Sequence, residues 1–141
     1  MRILMLHVDH FSSTVTEKGR SRIVEESPSK TMEADEALLV LASVEKEDET
    51  NPIGVSDRVA EEISKLSQQL KVHTIVLHPF AHLFAEMSSP ETALETLKLT
   101  EEGLSRRGFK AIRTPFGWFN TLELKAKGHP LSRVARTISS G

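Results

Sequence analysis

The segment from His78 to Leu83 joins two histidines to a proline, a phenylalanine and a small alanine, and it directly follows an apolar run. Ligands tend to bind where the strands of an α/β sheet end at its carboxyl edge. The small Ala81 between Phe80 and His82 would let a ligand approach the backbone. An imidazole, with an ordinary pKa of about 6.5, could orient a substrate or relay a proton there. Position alone also allows a loop histidine without a role.

Two further segments combine residues that could do chemistry. In Thr114–Asn120 a proline and a glycine set a tight turn, and the chain's only tryptophan stands between two phenylalanines. In Lys127–Arg133 a glycine, a histidine and a proline lie among cations. Taken alone, the first of these fits a packed hairpin corner and the second fits an ordinary loop.

Several common chemistries lack their residues. The chain has no cysteine, which excludes disulfides, thiolate metal sites and a cysteine nucleophile. Neither the Walker pattern nor GxGxxG occurs, so we do not expect ATP or NAD to bind by those routes. No serine stands in GxSxG, although a Ser-His-Asp triad could assemble from distant positions. Because Pro79 separates His78 from His82, the two do not share a helical face as zinc ligands would, and we expect no metal and no cofactor.

Apolar periodicity predicts the elements that must position these segments. Five strands are expected, over residues 2–8, 37–44, 73–78, 109–113 and 118–126. A polar hairpin within 11–26 and a loop over 27–36 would join the first two. One helix is expected over about 55–70, and a second begins near Ser89, which can cap it, and ends at Gly108. The fold class is α/β, one domain over residues 1–141 with a mixed sheet covered by two main helices.

Bulk composition fits a single folded domain. The chain has 141 residues, 38% of them hydrophobic, and a net charge of −2, which allows a core and gives no reason to expect disorder. No run approaches the roughly 20 apolar residues that cross a bilayer, so we expect no membrane association and a cytoplasmic location. Residues 108–141 carry six Lys and Arg against one acid, although their spacing does not show a shared face.

In order and spacing, these segments together resemble the N-terminal editing domain of archaeal-type threonyl-tRNA synthetases, a domain related in fold to D-aminoacyl-tRNA deacylases. The likeness runs along the whole chain, through Arg2–His7, Ser43–Lys46, His78–Leu83, Pro115–Phe119 and Lys127–Leu131. It implies a deacylase-like fold, a homodimer, and tRNA as partner. It also implies that the chain is joined to, or works with, the catalytic domains of a synthetase.

The resemblance further implies a reaction, the hydrolysis of serine wrongly attached to threonine tRNA. Serine lacks only one methyl of threonine, a difference that a binding site can exploit only about 10–200-fold, so a second site must remove the serine. The implied substrate-binding residues are Pro79, Phe80 and Ala81 in the pocket segment, Val44 and Glu45 in the loop whose backbone meets the amino acid, and Phe116, Gly117, Trp118 and Phe119 in the aromatic wall.

The chain departs from the family pattern at two positions. The family often has a lysine where Asn120 stands and an acid where Arg133 stands. Asparagine is a neutral hydrogen-bonding group and cannot supply an ammonium. Either Lys46 or Arg133 replaces that cation, or catalysis relies on a water held by backbone groups and on the tRNA ribose hydroxyl, which we favour. The joint loss is interpreted as a lost or rewired ion pair. The candidate catalytic residues are His82, Asn120, Lys46 and Arg133.

Other functions stay open at this point. A freestanding D-aminoacyl-tRNA deacylase would release D-amino acids and leave L-serine untouched. A non-catalytic tRNA-binding module would bind tRNA without cleaving the ester. A generic protein-interaction domain would do neither.

Overall fold

Two amphipathic helices pack on a mixed six-stranded β-sheet whose strands differ widely in length. A computed structural model of the chain describes residues 1–26, 29–80 and 86–140. Within them the strands are β1 (Arg2–Lys18), β2 (Thr31–Ser43), β3 (Thr74–Pro79), β4 (Lys110–Arg113), β5 (Trp118–Ala126) and β6 (Arg133–Thr137). The helices are α1 (Pro52–Leu70) and α2 (Pro90–Arg106), and a short 3-10 helix, Lys46–Thr50, precedes α1. The predicted α/β class, with a mixed sheet and two main helices, is confirmed.

The sheet is organised around β1, its longest strand. Its order is β4-β3-β2-β1-β5, with β6 also paired to β1. One edge of β1 pairs antiparallel with β2, whereas its other edge is shared by β6, opposite residues 2–6, and by β5, opposite residues 8–18. β2, β3 and β4 run parallel. The carboxyl ends of β2, β3 and β4 therefore lie at one edge of the sheet, where the chain leaves each strand.

The hydrophobic core lies between the helices and one face of the sheet. Apolar residues of α1 at Val55, Val59, Ile63 and Leu66 recur every three or four positions and are buried, as their spacing predicted. They pack on the central strand residues, of which Leu38 and Leu77 are fully enclosed. A smaller cluster of Val8, Phe11, Ala37, Leu39 and Val76 covers the opposite face. Burial on both faces explains why β2 and β3 read as continuous apolar runs.

Both helices begin at residues that satisfy free backbone amides. The side chain of Asn51 accepts a hydrogen bond from the amide of Gly54, and that of Ser89 accepts one from Thr92. Proline occupies the first turn of each helix, where no intrahelical donor is needed. The predicted cap at Ser89 is thus confirmed. None of the helices within the described ranges is long and apolar enough to cross a membrane.

Three local predictions are wrong. The hairpin expected within 11–26 is absent from the described residues, because β1 continues as one strand to Lys18. Residues 31–36, expected in a loop, belong to β2, which pairs with this extension. β6, which lies beyond the last predicted strand, was missed altogether. In each case polar or charged residues form a strand because a neighbouring strand supplies the hydrogen bonds, and no local apolar signal records that.

The core predicts unequal costs for two isoleucines of the same helix. Ile63 is fully buried, whereas Ile53 is 69% exposed. We expect Ile63→Ala to lower the free energy of unfolding by about 2–5 kcal/mol, because it removes buried methyl groups and leaves a cavity. Ile53→Ala, the matched control, should change it by less than about 0.5 kcal/mol. Equilibrium urea unfolding measures both, and equal losses would contradict this packing.

Candidate functional site

A cavity of about 740 Å³ opens where β3 ends. Its described walls come from five places far apart in the sequence: residues 19–21 after β1, the end of β2 at Ala42 and Val44, the strand exit 78–80, the segment before α2 with the first half of that helix, and residues 115–122. Its lining is mostly apolar, with a few polar side chains, which is typical of a site for a small organic group.

The parallel strands bring the cavity walls together. The amide of Phe80 donates to the carbonyl of Ala42 at the end of β2, at 2.8 Å. The amide of Ser88 donates to the carbonyl of Val44 at 3.1 Å, which closes the wall in front of α2. These bonds fix the exits of β2 and β3 beside each other, as expected for the carboxyl edge of the sheet.

The turn before β5 is held tightly against the segment that follows β1. Gly117 has a φ of +89°, and a Cβ there would lie 2.5 Å from the carbonyl oxygen of Ile23. Only glycine fits this position, because both the backbone angle and the space exclude a side chain. The carbonyl of Gly117 accepts a hydrogen bond of 2.7 Å from the amide of Gly19. The turn and the segment 19–26 therefore form one wall.

Glu25 anchors that wall. Its carboxylate accepts hydrogen bonds from both terminal nitrogens of the Arg113 guanidinium and, at 2.8 Å, from the amide of Phe116. Its carbonyl accepts the indole N–H of Trp118 at 2.7 Å. Burial alone would raise the pKa of the Glu25 carboxyl, but the bonds from Arg113 and Phe116 outweigh it and the pKa is lowered. Glu25 is therefore an ionised anchor for the aromatic turn.

His78 is the one histidine of β3, and it is buried at the cavity wall. Its Nδ1 lies 2.8 Å from the hydroxyl of Thr114, and its ring meets that of Phe11 edge to face at 6.2 Å. Burial lowers the pKa of His78 to about 4. The imidazole is therefore uncharged at neutral pH.

Most of the residues expected to bind substrate meet at this cavity. Its described lining includes Val44, Pro79, Phe80, Phe116, Gly117, Trp118 and Phe119, together with Asn120 from the expected catalytic set. Ala81 and His82, which were expected in the pocket segment, lie outside the described residues. The expected aromatic wall and pocket segment thus face the same space.

Three other expected residues are not among those that line the cavity. The carboxylate of Glu45 lies beside the Met1 ammonium and Arg2, and its amide donates to Asp48. Lys46 is exposed in the 3-10 helix, with its amide bonded to the carbonyl of Glu86.

Arg133 begins β6, far along the sheet from Asn120. It pairs with Leu6 of β1, whereas Asn120 pairs with Val15. Nine residues separate these partners, or about 30 Å along the strand. An ion pair between positions 120 and 133 therefore cannot form within one chain. The rest of the third segment lies at the Arg133 end, where His129 contacts His7 at 2.9 Å.

Sequence reasoning missed several wall residues. Gly19, Arg20 and Ser21 reach the cavity only through the pairing of β1 with β5, so no local pattern indicates them. His78 and Leu122 had usable signals, since His78 ends a buried strand and Leu122 shares a strand face with Trp118 and Asn120. Within the described ranges, no three acidic, histidine or cysteine side chains cluster as metal ligands would.

Comparison with known proteins identifies close sequence relatives. A family model described as the archaea-specific editing domain of threonyl-tRNA synthetase matches residues 1–138. Threonine–tRNA ligases from Methanocaldococcus jannaschii and Methanobrevibacter smithii are 43% and 42% identical, over 98% and 99% of this chain. The ligase from Thermococcus kodakarensis is 41% identical over 98%. The chain spans only 22–23% of the length of these three relatives.

A solved structure shares the fold. The c-Myc DNA unwinding element binding protein superposes with a TM-score of 0.66, covering 97% of this chain and 98% of that chain. At 14% identity this likeness concerns the fold alone. It agrees with the expected α/β architecture of a mixed sheet with two main helices.

The Glu25 anchor predicts a loss of stability on neutralisation. Glu25→Gln keeps the shape but removes the charge that holds the nearly enclosed Arg113 guanidinium. We expect a loss of roughly 1–3 kcal/mol in the free energy of unfolding, since the largely enclosed guanidinium would lose its ionic contact with Glu25 and keep only that with Glu101. Urea unfolding at pH 7 measures the loss.

The matched control is a second Arg–Glu pair that also holds the segment after β1. Arg22 and Glu91 form a bidentate pair, but their side chains are 70% and 55% exposed. Glu91→Gln should leave the unfolding midpoint nearly unchanged, because solvent screens the pair. If the unfolding midpoint of Glu25→Gln is as close to that of wild type as the midpoint of Glu91→Gln, Glu25 does not stabilise this wall.

The lowered pKa of His78 predicts a pH dependence of stability. In the unfolded chain this histidine takes up a proton below about pH 6.5, whereas in the native protein it stays neutral down to about pH 4. The free energy of unfolding therefore rises with pH across this window. The contribution that the neutral His78 makes to it is lost as pH falls from 6.5 towards 4. Unfolding free energies of wild type and His78→Gln should converge by roughly 3 kcal/mol over that range. Parallel curves would contradict a neutral, buried His78.

Proposed function

The chain belongs to the archaea-specific editing domains of threonyl-tRNA synthetase, and on that premise we propose that it hydrolyses the ester of L-serine mischarged on threonine tRNA. Because the chain spans 22–23% of the ligases it matches, the proposal concerns the editing step and not aminoacylation. The proposed setting is the cytoplasm, with residues 1–141 as the editing domain joined to, or working with, synthetase catalytic domains.

One observation carries the proposal: segments distant in sequence that resemble editing motifs meet at one cavity. The strand exit Pro79–Phe80 and the aromatic turn Phe116–Phe119 face the same space. At about 740 Å³ this space exceeds a seryl group and leaves room for the terminal ribose and base of the tRNA. Total volume therefore cannot exclude threonine, and rejection of its extra methyl requires a close contact at the hydroxyl end of the amino acid.

The charges of the cavity favour a particular chemistry. Among the described residues that line it, Arg20 carries the only formal charge, while His78 and Asn120 are neutral. No described carboxylate lines the wall to act as a general base. This supports attack by a water positioned by neutral groups and by the tRNA ribose hydroxyl, with backbone amides near Gly117 or Ala81 as donors to the developing oxyanion. His82 remains a proposed orienting group.

Asn120 is the proposed side-chain contact in place of the usual lysine. It is half-buried, lines the cavity and can both donate and accept hydrogen bonds. Lys46, Arg133 and Glu45 lie away from the described lining, so any role for them in catalysis requires a second subunit or the bound tRNA. A homodimer is part of the proposal, supported by the exposed apolar residues Leu122 and Leu124, which share one face of β5.

Deacylation of the two charged tRNAs tests the function. Threonine tRNA carrying either serine or threonine is incubated with the protein, and loss of each ester is followed. We expect serine release at least about tenfold faster than threonine release, because the extra methyl must meet a close wall. Asn120→Ala should slow serine release, while Lys65→Ala, on the exposed face of α1, should match wild type.

The same assay separates the alternatives. Release of D-amino acids with L-serine untouched would replace the proposal with a D-aminoacyl-tRNA deacylase. Binding of tRNA with both esters left intact would indicate a non-catalytic module. Equal rates for serine and threonine would contradict a proofreading site.

A further inference from the structure

His78 combines deep burial with a position on the cavity. Only 4% of the residue is exposed, and it is among the residues that line the cavity. Thr114 on one side and the ring of Phe11 on another hold the imidazole in a single orientation. A polar side chain fixed in this way costs free energy unless it has a partner for each polar atom.

The contact with Thr114 indicates which ring nitrogen carries the proton. Thr114 is fully buried, and within the described residues its hydroxyl bonds only to Nδ1 of His78. A buried hydroxyl hydrogen needs an acceptor, and a neutral imidazole has one acceptor nitrogen. The hydroxyl of Thr114 therefore donates to Nδ1, and the proton of the neutral ring is on Nε2.

The Nε2–H group is open to a ligand. It has no partner among the described residues, yet it is not sealed in the core. The sealed side-chain atoms without a partner in the described ranges are His7 Nε2, Ser13 Oγ and Ser67 Oγ. Since His78 lines the cavity and its Nδ1 is occupied by Thr114, we infer that the Nε2–H group faces the cavity.

We propose that His78 is a substrate-binding residue whose Nε2–H donates a hydrogen bond to an oxygen of the aminoacyl group in the cavity. The proposal rests on the editing function and deepens it by naming the group that meets the substrate. Burial holds the pKa of His78 to about 4, so the ring is a neutral donor throughout the physiological range. A neutral, oriented donor in a nearly uncharged site strengthens as negative charge develops on an ester oxygen.

The tautomer is testable without any activity. Nitrogen-15 spectra of the imidazole at pH 7 should show the proton of His78 on Nε2, and the signal should not titrate between pH 8 and 5. Thr114→Val should lose this fixed tautomer, and Thr114→Ser should keep it because the hydroxyl remains. A proton on Nδ1 in the wild-type protein would overturn the proposal.

The binding role is tested by two substitutions at His78. The side-chain amide of His78→Gln retains a donor near the position of Nε2, whereas His78→Leu has none. We expect kcat/KM for seryl-tRNA hydrolysis to fall about 100-fold in His78→Leu and less than about tenfold in His78→Gln. His10→Leu, at a half-exposed histidine of β1 away from the cavity lining, is the control and should match wild type.

Failure of this proposal is distinguishable from failure of the editing function. If wild type hydrolyses seryl-tRNA and His78→Leu does so equally fast, the His78 proposal is wrong and the function stands. If wild type is inactive, the proposed function is wrong. The His78 proposal is then tested by calorimetric binding of a non-hydrolysable serine amide of 3′-amino-3′-deoxyadenosine. Equal affinity of wild type and His78→Leu for this amide, or no binding to either, would contradict a hydrogen bond from His78 to the aminoacyl group. If His78→Leu does not fold, slower hydrolysis in Thr114→Val than in Thr114→Ser supports it, and equal rates refute it.

Discussion

The pairing of β1 along both of its edges is the constraint on which the rest of the structure depends. β1 is long enough to carry β6 on its first third and β5 on the remainder, while β2 follows its other edge. Side-chain direction alternates along a strand, so this register decides which residues of β5 face the cavity. A slip by one residue would turn Asn120 and Leu122 away from the site. The pairing of β1 with β5 shifts register after Val8 and again after Val15, as at β-bulges.

Charged side chains near the cavity mostly support its wall, whereas mostly uncharged groups face the cavity itself. Formal charges near the cavity are mostly neutralised in its supporting wall, where Glu25 meets Arg113 and Arg22 meets Glu91. The described groups that face the space include a neutral imidazole, an amide and aromatic rings, and Arg20 is the one charged residue among them. A low-charge interior strengthens every hydrogen bond made there, and an unpaired ion would be costly in it. The loss of a lysine at position 120 is therefore compatible with a working site whose donors are uncharged.

Prediction from the sequence succeeded where burial is two-sided or periodic and failed where strands are polar. The apolar run 37–44 and the helix that contains Ile63 were predicted correctly, because the spacing of buried residues within one element is visible in its own sequence. The second half of β1 is rich in serine and threonine, and β6 is a short strand with two arginines and a threonine among its five residues. Such segments become strands only when a partner strand satisfies their backbone hydrogen bonds. Whether they form strands therefore depends on residues far away in the chain.

The sequence by itself determined the core elements, the caps, the glycine that the turn at Gly117 demands and the set of segments that resemble an editing domain. Tertiary structure decided which of those segments share a space. It placed Asn120 on the cavity, left Lys46 and Arg133 away from the described lining, and joined Nδ1 of His78 to the hydroxyl of Thr114. The physical reason is that a local pattern fixes the direction of a side chain within its own element. The partner it meets depends on strand register and on contacts between residues dozens of positions apart.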